Sequence, residues 1–151
     1  MTIDESLSRQ ILLMDGAMGT KIQSMGLSAD TYHQGPFANW QVSLAGNNDV
    51  LNLTAPEVIA SIHRQYIEAG ADIISTNTFS ANRISQHEYG CEDVAREMAY
   101  EGARIAREVA NTYHPSPNTQ HPNMVYPRWQ TTGNAPHKGW GVYSSGTENN
   151  C

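Results

Sequence analysis

ILLMDGAMGT, residues 11–20, is the stretch on which the reading of the fold turns. Ile11, Leu12, Leu13 and Met14 form an apolar run without alternation, the pattern of a strand buried on both faces in a parallel sheet covered by helices. Asp15 ends the run. Gly16 and Gly19 let the backbone turn sharply and approach a ligand closely. The carboxylate is therefore expected at the carboxyl end of a buried strand, which is where (β/α) folds place their chemistry. A second reading of the same residues stays open: strand-Asp-Gly is a frequent turn signal, and Asp15 then only caps the turn.

Working outward, residues 4–9 can make a helical turn with Asp4 and Glu5 near its positive end and Leu7 facing inward. After the glycine turn, Met18, Ile22 and Met25 recur at helical spacing, so residues 20–25 are predicted to form a short helix stopped by Gly26. Residues 27–53 hold no sustained period and include Gly35, Pro36, Phe37 and Trp40; a loop of that length in a compact protein is more often functional than idle. Residues 54–70 read as the clearest helix, with Thr54 as N-cap, Glu57 as its capping-box partner, Pro56 in the first turn and an apolar stripe of Ile59, Ile62, Tyr66 and Ala69. On that helix His63 has no partner at metal-ligand spacing and reads as a surface or boundary residue.

ADIIST, residues 71–76, is the second apolar run. It ends in Thr76, Asn77 and Thr78, again placing polar groups at a strand's carboxyl end. Residues 80–89 suit one or two helical turns. A longer helix starts near Glu92 and Asp93 and carries Val94, Met98, Ile105 and Val109 on one face, with Glu97, Glu101, Arg104 and Glu108 on the solvated side. Strand, helix, strand, helix makes two β/α units of a parallel α/β fold, with both strand ends on one face.

From Tyr113 the character changes. Five of the seven prolines fall in residues 113–151, and no Leu or Ile does. Such a segment buries too little apolar area to offset its ordering entropy, so it is expected to be a largely disordered Pro/Asn-rich tail. In PNMVYPRWQTTG the prolines stand where a central strand needs donors. His114, His121 and His137 are scattered without ligand spacing, and Trp129 and Trp140 lack periodic company.

Charge follows the same division: residues 1–112 carry seven Lys/Arg against fourteen Asp/Glu, while residues 113–151 carry Arg128, Lys138 and Glu148. The acidic balance argues against nucleic acid or an anionic membrane as partner. Two cysteines, Cys91 and Cys151, make neither a disulfide framework nor a CxxC knuckle. The polar, acidic opening residues resemble no signal or transit peptide, and no apolar run approaches the roughly 20 residues that span a bilayer. A cytoplasmic location is the expectation.

Two blocks, ILLMDGAMGT and GNNDVLNLTAPEVIASIHRQYIEAGADIISTNTF, at their separation resemble the start of the homocysteine-binding domain of cobalamin-dependent methionine synthases, within the homocysteine S-methyltransferase family. Betaine-type relatives share the Asp-Gly strand end, whereas GNND and TNTF favour the methionine synthase form. The resemblance covers about residues 8–112 and implies a (β/α)8 TIM barrel that moves a methyl group onto the thiol of homocysteine. It implies zinc held by three cysteine thiolates, and methylcobalamin and folate handled by other modules. Zinc serves because a free thiol, with a pKa near ~8.5, is only a few per cent thiolate at neutral pH. The family's cysteines have no counterpart here, since Cys91 lies between the second strand and its helix and Cys151 is the last residue. No metal site is expected.

What the resemblance carries over is the front of the amino-acid pocket. Asp15 would accept from the homocysteine ammonium, Gly16 would give close approach, and Thr76 and Asn77 would line the substrate site. The expectation is thus an incomplete barrel of about two β/α units: residues 1–112 as a partial homocysteine-binding domain and residues 113–151 as an unrelated tail, of the kind a frameshift or truncation produces. Two functions follow, a piece of a methyltransferase that makes methionine, or a non-catalytic truncated product or small interaction protein; zinc content separates them. Phosphate binding at GAMG is a weak third, because the glycines fit neither GxGxxG nor a P-loop.

Overall fold

The computed structural model describes residues 3–113 and the backbone of Met124–Tyr126. Helices dominate. In chain order they are α1 (Ile3–Leu7), α2 (Met18–Ser24), α3 (Ala29–Tyr32), α4 (Leu51–Thr54), α5 (Pro56–Glu68), then α6 (Arg83–Gln86) and α7 (Ala95–Thr112), with single 3-10 turns at Gly35–Phe37, Asn48–Val50 and His87–Tyr89. Strands β1 (Ile73–Ser75) and β2 (Met124–Tyr126) pair in parallel, Ile74 opposite Val125. On the other edge of β1, residues 13–15 run parallel to it through a bridge between Met14 and Ile73 and hydrogen bonds from Asp15 N–H to the Ile73 carbonyl (2.8 Å) and from Ile73 N–H to the Leu13 carbonyl (3.0 Å). The order is therefore extended segment, helices, strand, helices, strand, an incomplete parallel α/β arrangement in which no closed barrel is present among the described residues.

The core lies where α5 and α7 pack on each other and on α4, with α5 also against β1 and α7 against the turn leading into α4. Ile59, Ile62, Ile74, Leu44, Val50, Leu51 and Met98 are wholly buried. The 3.6-residue period explains both helices: Ile59 and Ile62 from α5, and Met98, Ile105 and Val109 from α7, turn one face inward. The aperiodic stretch between α2 and α4 is not idle surface, for Phe37 packs edge-on against Trp40 at 5.2 Å and Trp40 donates its indole N–H to the Tyr89 carbonyl (2.8 Å).

Several expectations are corrected. Residues 11–14 are not a strand buried on two faces. Ile11 is 88% exposed, Leu13 58% and Met14 53%, because backbone pairing to β1 occupies one edge of the segment and nothing among the described residues covers its flank. Leu7 is exposed and Ser6 buried, the reverse of the predicted turn. Thr54 does not cap α5; it closes α4, its hydroxyl reaching back to the Val50 carbonyl (3.4 Å), and Ala55 is the residue that precedes Pro56. Glu57 pairs instead with Arg64 (3.3 Å). His63 is fully buried, since Ile59, Ile62, His63 and Ile67 all fall on the inward arc of α5. Finally, Met124–Tyr126 forms a strand where prolines argued against one: the three residues fit between Pro122 and Pro127 and need no donor from either ring. The rest of the expected tail, with its histidines, tryptophans and Cys151, lies outside the described residues. No helix among the described residues is long and apolar enough to cross a membrane.

Candidate functional site

A cavity of about 520 Å³ opens at the carboxyl ends of β1 and of the segment that precedes Asp15. Its walls are residues 17–20, residues 46–49 and residues 76–80, closed at one side by Ser85, Glu88 and Tyr89. Each wall follows from local sequence. Gly16 stands between the first extended segment and α2, whereas Gly19, expected in the turn, lies inside α2; Gly46 (φ +91°) turns the chain into the Asn-Asn-Asp sequence, and the polar TNT ends the apolar run of β1.

What holds the walls together is a pair of reciprocal amide contacts. The Asn52 side-chain amide donates to the carbonyls of Asn77 (2.7 Å) and Met98 (3.0 Å), and Asn77 donates back to Asn52 Oδ1 (3.0 Å) and to the Asn48 carbonyl (2.8 Å). Asn47 and Gln86 exchange hydrogen bonds at 2.8 and 3.1 Å, and Gln86 also donates to the Ser80 carbonyl (3.1 Å). Buried amides of this kind are stable only when fully satisfied, and here one side chain closes several backbone orphans at once. Asn52→Ala leaves the Asn77 and Met98 carbonyls without that donor. It is expected to cost about 2 kcal/mol, read as a lowered denaturation midpoint, and to broaden the amide signals of residues 76–80; an unchanged midpoint would remove Asn52 from this role.

Asp49 is the carboxylate that sequence reasoning missed, although it ends the GNND block. It is 4% exposed, lines the cavity, and accepts from the Ser80 N–H at Oδ1 (3.1 Å). Burial pushes its pKa up to about 6 against the opposing pull of backbone N–H groups of Ser80, Asp49 and Ala81. No periodicity could have flagged it, since it sits in a turn; only its carboxylate chemistry within a loop of functional length was available as a signal.

The four predicted site residues separate into two pairs. Thr76 and Asn77 stand in the cavity wall, both buried. Asp15 and Gly16 stand beside it rather than in the lining. Both Asp15 oxygens accept from Ser75, Oδ2 from its N–H (2.8 Å) and Oδ1 from its hydroxyl (2.7 Å), which fastens the first strand end to the second. A Cβ at Gly16 would lie 3.0 Å from the Tyr66 hydroxyl, so its missing side chain admits that ring.

As for metal, no three of His, Cys, Asp and Glu among the described residues lie together as a metal-binding group. Cys91 is buried, its Sγ directed at the Tyr89 carbonyl (3.4 Å), and burial with Glu92 nearby pushes its thiol up to about 11, so it is protonated at neutral pH. The described residues do not fit a thiolate-held zinc ion.

The homocysteine S-methyltransferase family model matches residues 12–146. Among solved structures, the oxidised form of the homocysteine methyltransferase MmuM from Escherichia coli is similar at 23% identity and a TM-score of 0.60, over 80% of this chain and 37% of that one. Its metallated form is similar at 22% identity and a TM-score of 0.60, over 82% and 39% respectively. The chain thus spans less than two fifths of the length of these structures, and at such identity the likeness speaks to the fold.

Proposed function

The chain belongs to the homocysteine S-methyltransferase family, and on that premise we propose that its cavity receives the amino-acid end of homocysteine in a methyl transfer that yields methionine. The observation that carries this reading is the position of the cavity. It stands at the carboxyl ends of two parallel extended segments, where parallel α/β folds hold their ligands, and both distinctive blocks, GNND and TNTF, form its walls.

In this reading Thr76 and Asn77 line the substrate, Gly16 keeps the first turn close-packed, and Asp15 adds carboxylate oxygens at the cavity's edge while holding Ser75. The finer reading, a piece of a cobalamin-dependent methionine synthase served by folate and cobalamin modules, is supported by GNND and TNTF. Zinc, where a family member holds it, would lower the pKa of the substrate's thiol so that it reacts as the thiolate; no step through zinc is derived for this chain, whose described residues do not fit it. The proposal for this chain by itself is therefore recognition of the amino acid without activation of its sulfur. A non-catalytic product is the second reading, favoured by the exposed Ile11, Leu13 and Met14.

Homocysteine titrated into the isotopically labelled full chain is expected to shift the amide signals of Gly19, Thr76 and Asn77 saturably, with no methyl transfer from methylcobalamin. Shifts confined to residues away from residues 76–80 would sink the binding reading, and stoichiometric zinc with turnover would sink the view of the sulfur.

A further inference from the structure

We propose that Asp49 makes this cavity read the amine of its ligand: it takes compounds with a protonated primary amine, with or without a neighbouring carboxylate, and refuses a carboxylate that lacks the amine. This rests on the amino-acid-binding reading above and says which end of the amino acid decides affinity.

The first support is the sign of the walls. The lining carries two carboxylates, Asp49 and Glu88, and no Lys, Arg or His among the described residues. A ligand cation is thus drawn in, while a ligand anion meets like charge in a partly desolvated space.

Position is the second support. Asp49 is held through the Ser80 N–H, donated from the chain just beyond β1, so its carboxylate is anchored to the same element that presents Thr76 and Asn77. It is buried, and the groups that stabilise its charge are backbone N–H dipoles rather than a full positive charge. The upward displacement of its pKa is the mark of a carboxylate whose charge is under-compensated. An ammonium supplies that compensation, with three donors to distribute.

Third, several side-chain donors of the wall that a ligand carboxylate could use are committed. The side-chain amides of Asn47 and Asn77 are spent on Gln86, Asn52 and the Asn48 carbonyl, and the Thr76 and Thr78 hydroxyls bond each other at 2.7 Å. Recognition of the carboxylate end is therefore left to backbone N–H groups, while the charged side chains of the lining favour the amine.

The test uses calorimetric titration of the full chain at neutral pH with homocysteine, 3-aminopropane-1-thiol and 4-mercaptobutanoate. The first two are expected to bind within roughly tenfold of each other, and the third about 100-fold more weakly. Asp49→Asn keeps a carbonyl oxygen for the Ser80 N–H and is expected to weaken both amines by about 30-fold or more, narrowing their lead over 4-mercaptobutanoate. Should that variant not fold, the ranking of the three probes on the unaltered chain decides alone. Equal binding of 4-mercaptobutanoate, or amine affinity untouched in Asp49→Asn, overturns the proposal while leaving homocysteine binding in place. No binding of homocysteine overturns the underlying reading and the proposal with it.

Discussion

Gly102→Ala is expected to destabilise the chain by about 2 kcal/mol or more, even though helix propensity by itself favours Ala over Gly by about 1 kcal/mol. The sign is reversed by what the helix touches. A Cβ on Gly102 of α7 would lie 2.7 Å from Asn52 Nδ2, 2.8 Å from Thr78 Cγ2 and 3.1 Å from the Asn77 carbonyl oxygen. None of these can withdraw cheaply. Asn52 Nδ2 is bound to two carbonyls, and the Asn77 oxygen is backbone just beyond β1. Relief requires either moving α7 off the wall of the cavity or breaking the Asn52–Asn77 exchange. A urea titration would show a lowered midpoint with little change in slope, and the amide signals of residues 76–80 would move most. A raised midpoint would mean that α7 does not approach the wall this closely.

The second large effect is expected at His63. Its ring is wholly buried, and both nitrogens lack hydrogen-bond partners among the described residues. Replacing it with Leu removes two unsatisfied polar atoms from an apolar site, so His63→Leu should stabilise the chain by about 1 to 3 kcal/mol at neutral pH.

Its pH signature is more diagnostic. Burial lowers the imidazole pKa to about 4 from 6.5. Between those values the unfolded chain binds a proton that the folded chain refuses, so His63 costs stability as pH falls from 6.5 to 4, on the order of 3 kcal/mol at 1.36 kcal/mol per unit. Asp49 works the other way. Its pKa is raised to about 6 from 3.8, so the folded chain binds the proton first and gains stability as pH falls through 6, a gain fully present below 3.8. The two windows overlap and largely cancel in the unaltered chain. Relative to that chain, His63→Leu is thus expected to grow more stable from pH 6.5 to 4, and Asp49→Asn to grow less stable over the same range. Denaturation midpoints at pH 7, 5.5 and 4.5 separate the cases; parallel curves for both variants would show that neither group is buried as described.

The periodic elements are legible in the order of residues alone. α5, α7 and β1 lie within a few residues of where apolar spacing and Gly or Pro punctuation put them, because a 3.6-residue stripe needs only one buried face to declare itself. Residues 11–14 misled because an unbroken apolar run reports hydrophobicity and not cover. It signals a strand buried on both sides only if something packs there, and among the described residues nothing does. Thr54 misled because a Ser/Thr followed by Glu at the third position is also what two abutting short helices look like.

The site divides along the same line. Thr76 and Asn77 could be found because a polar pair ending an apolar strand is a local signal. Asp49 in the wall, and Asn52 and Gln86 behind it, could not, because what ties them to the site is contact between residues 25 to 46 positions apart, Asp49 with Ser80, Asn52 with Asn77 and Met98, Asn47 with Gln86.

The amino-acid sequence by itself determined the succession of extended and helical segments and, through its two motif blocks, the family, since both depend on the order of residue types along the chain. Only the tertiary structure decided that His63 is interior, that Asp49 is a desolvated acid facing the cavity, and that Asp15 ties two strand ends through Ser75. Burial and charge environment belong to the neighbours that folding brings together, and no local pattern encodes them.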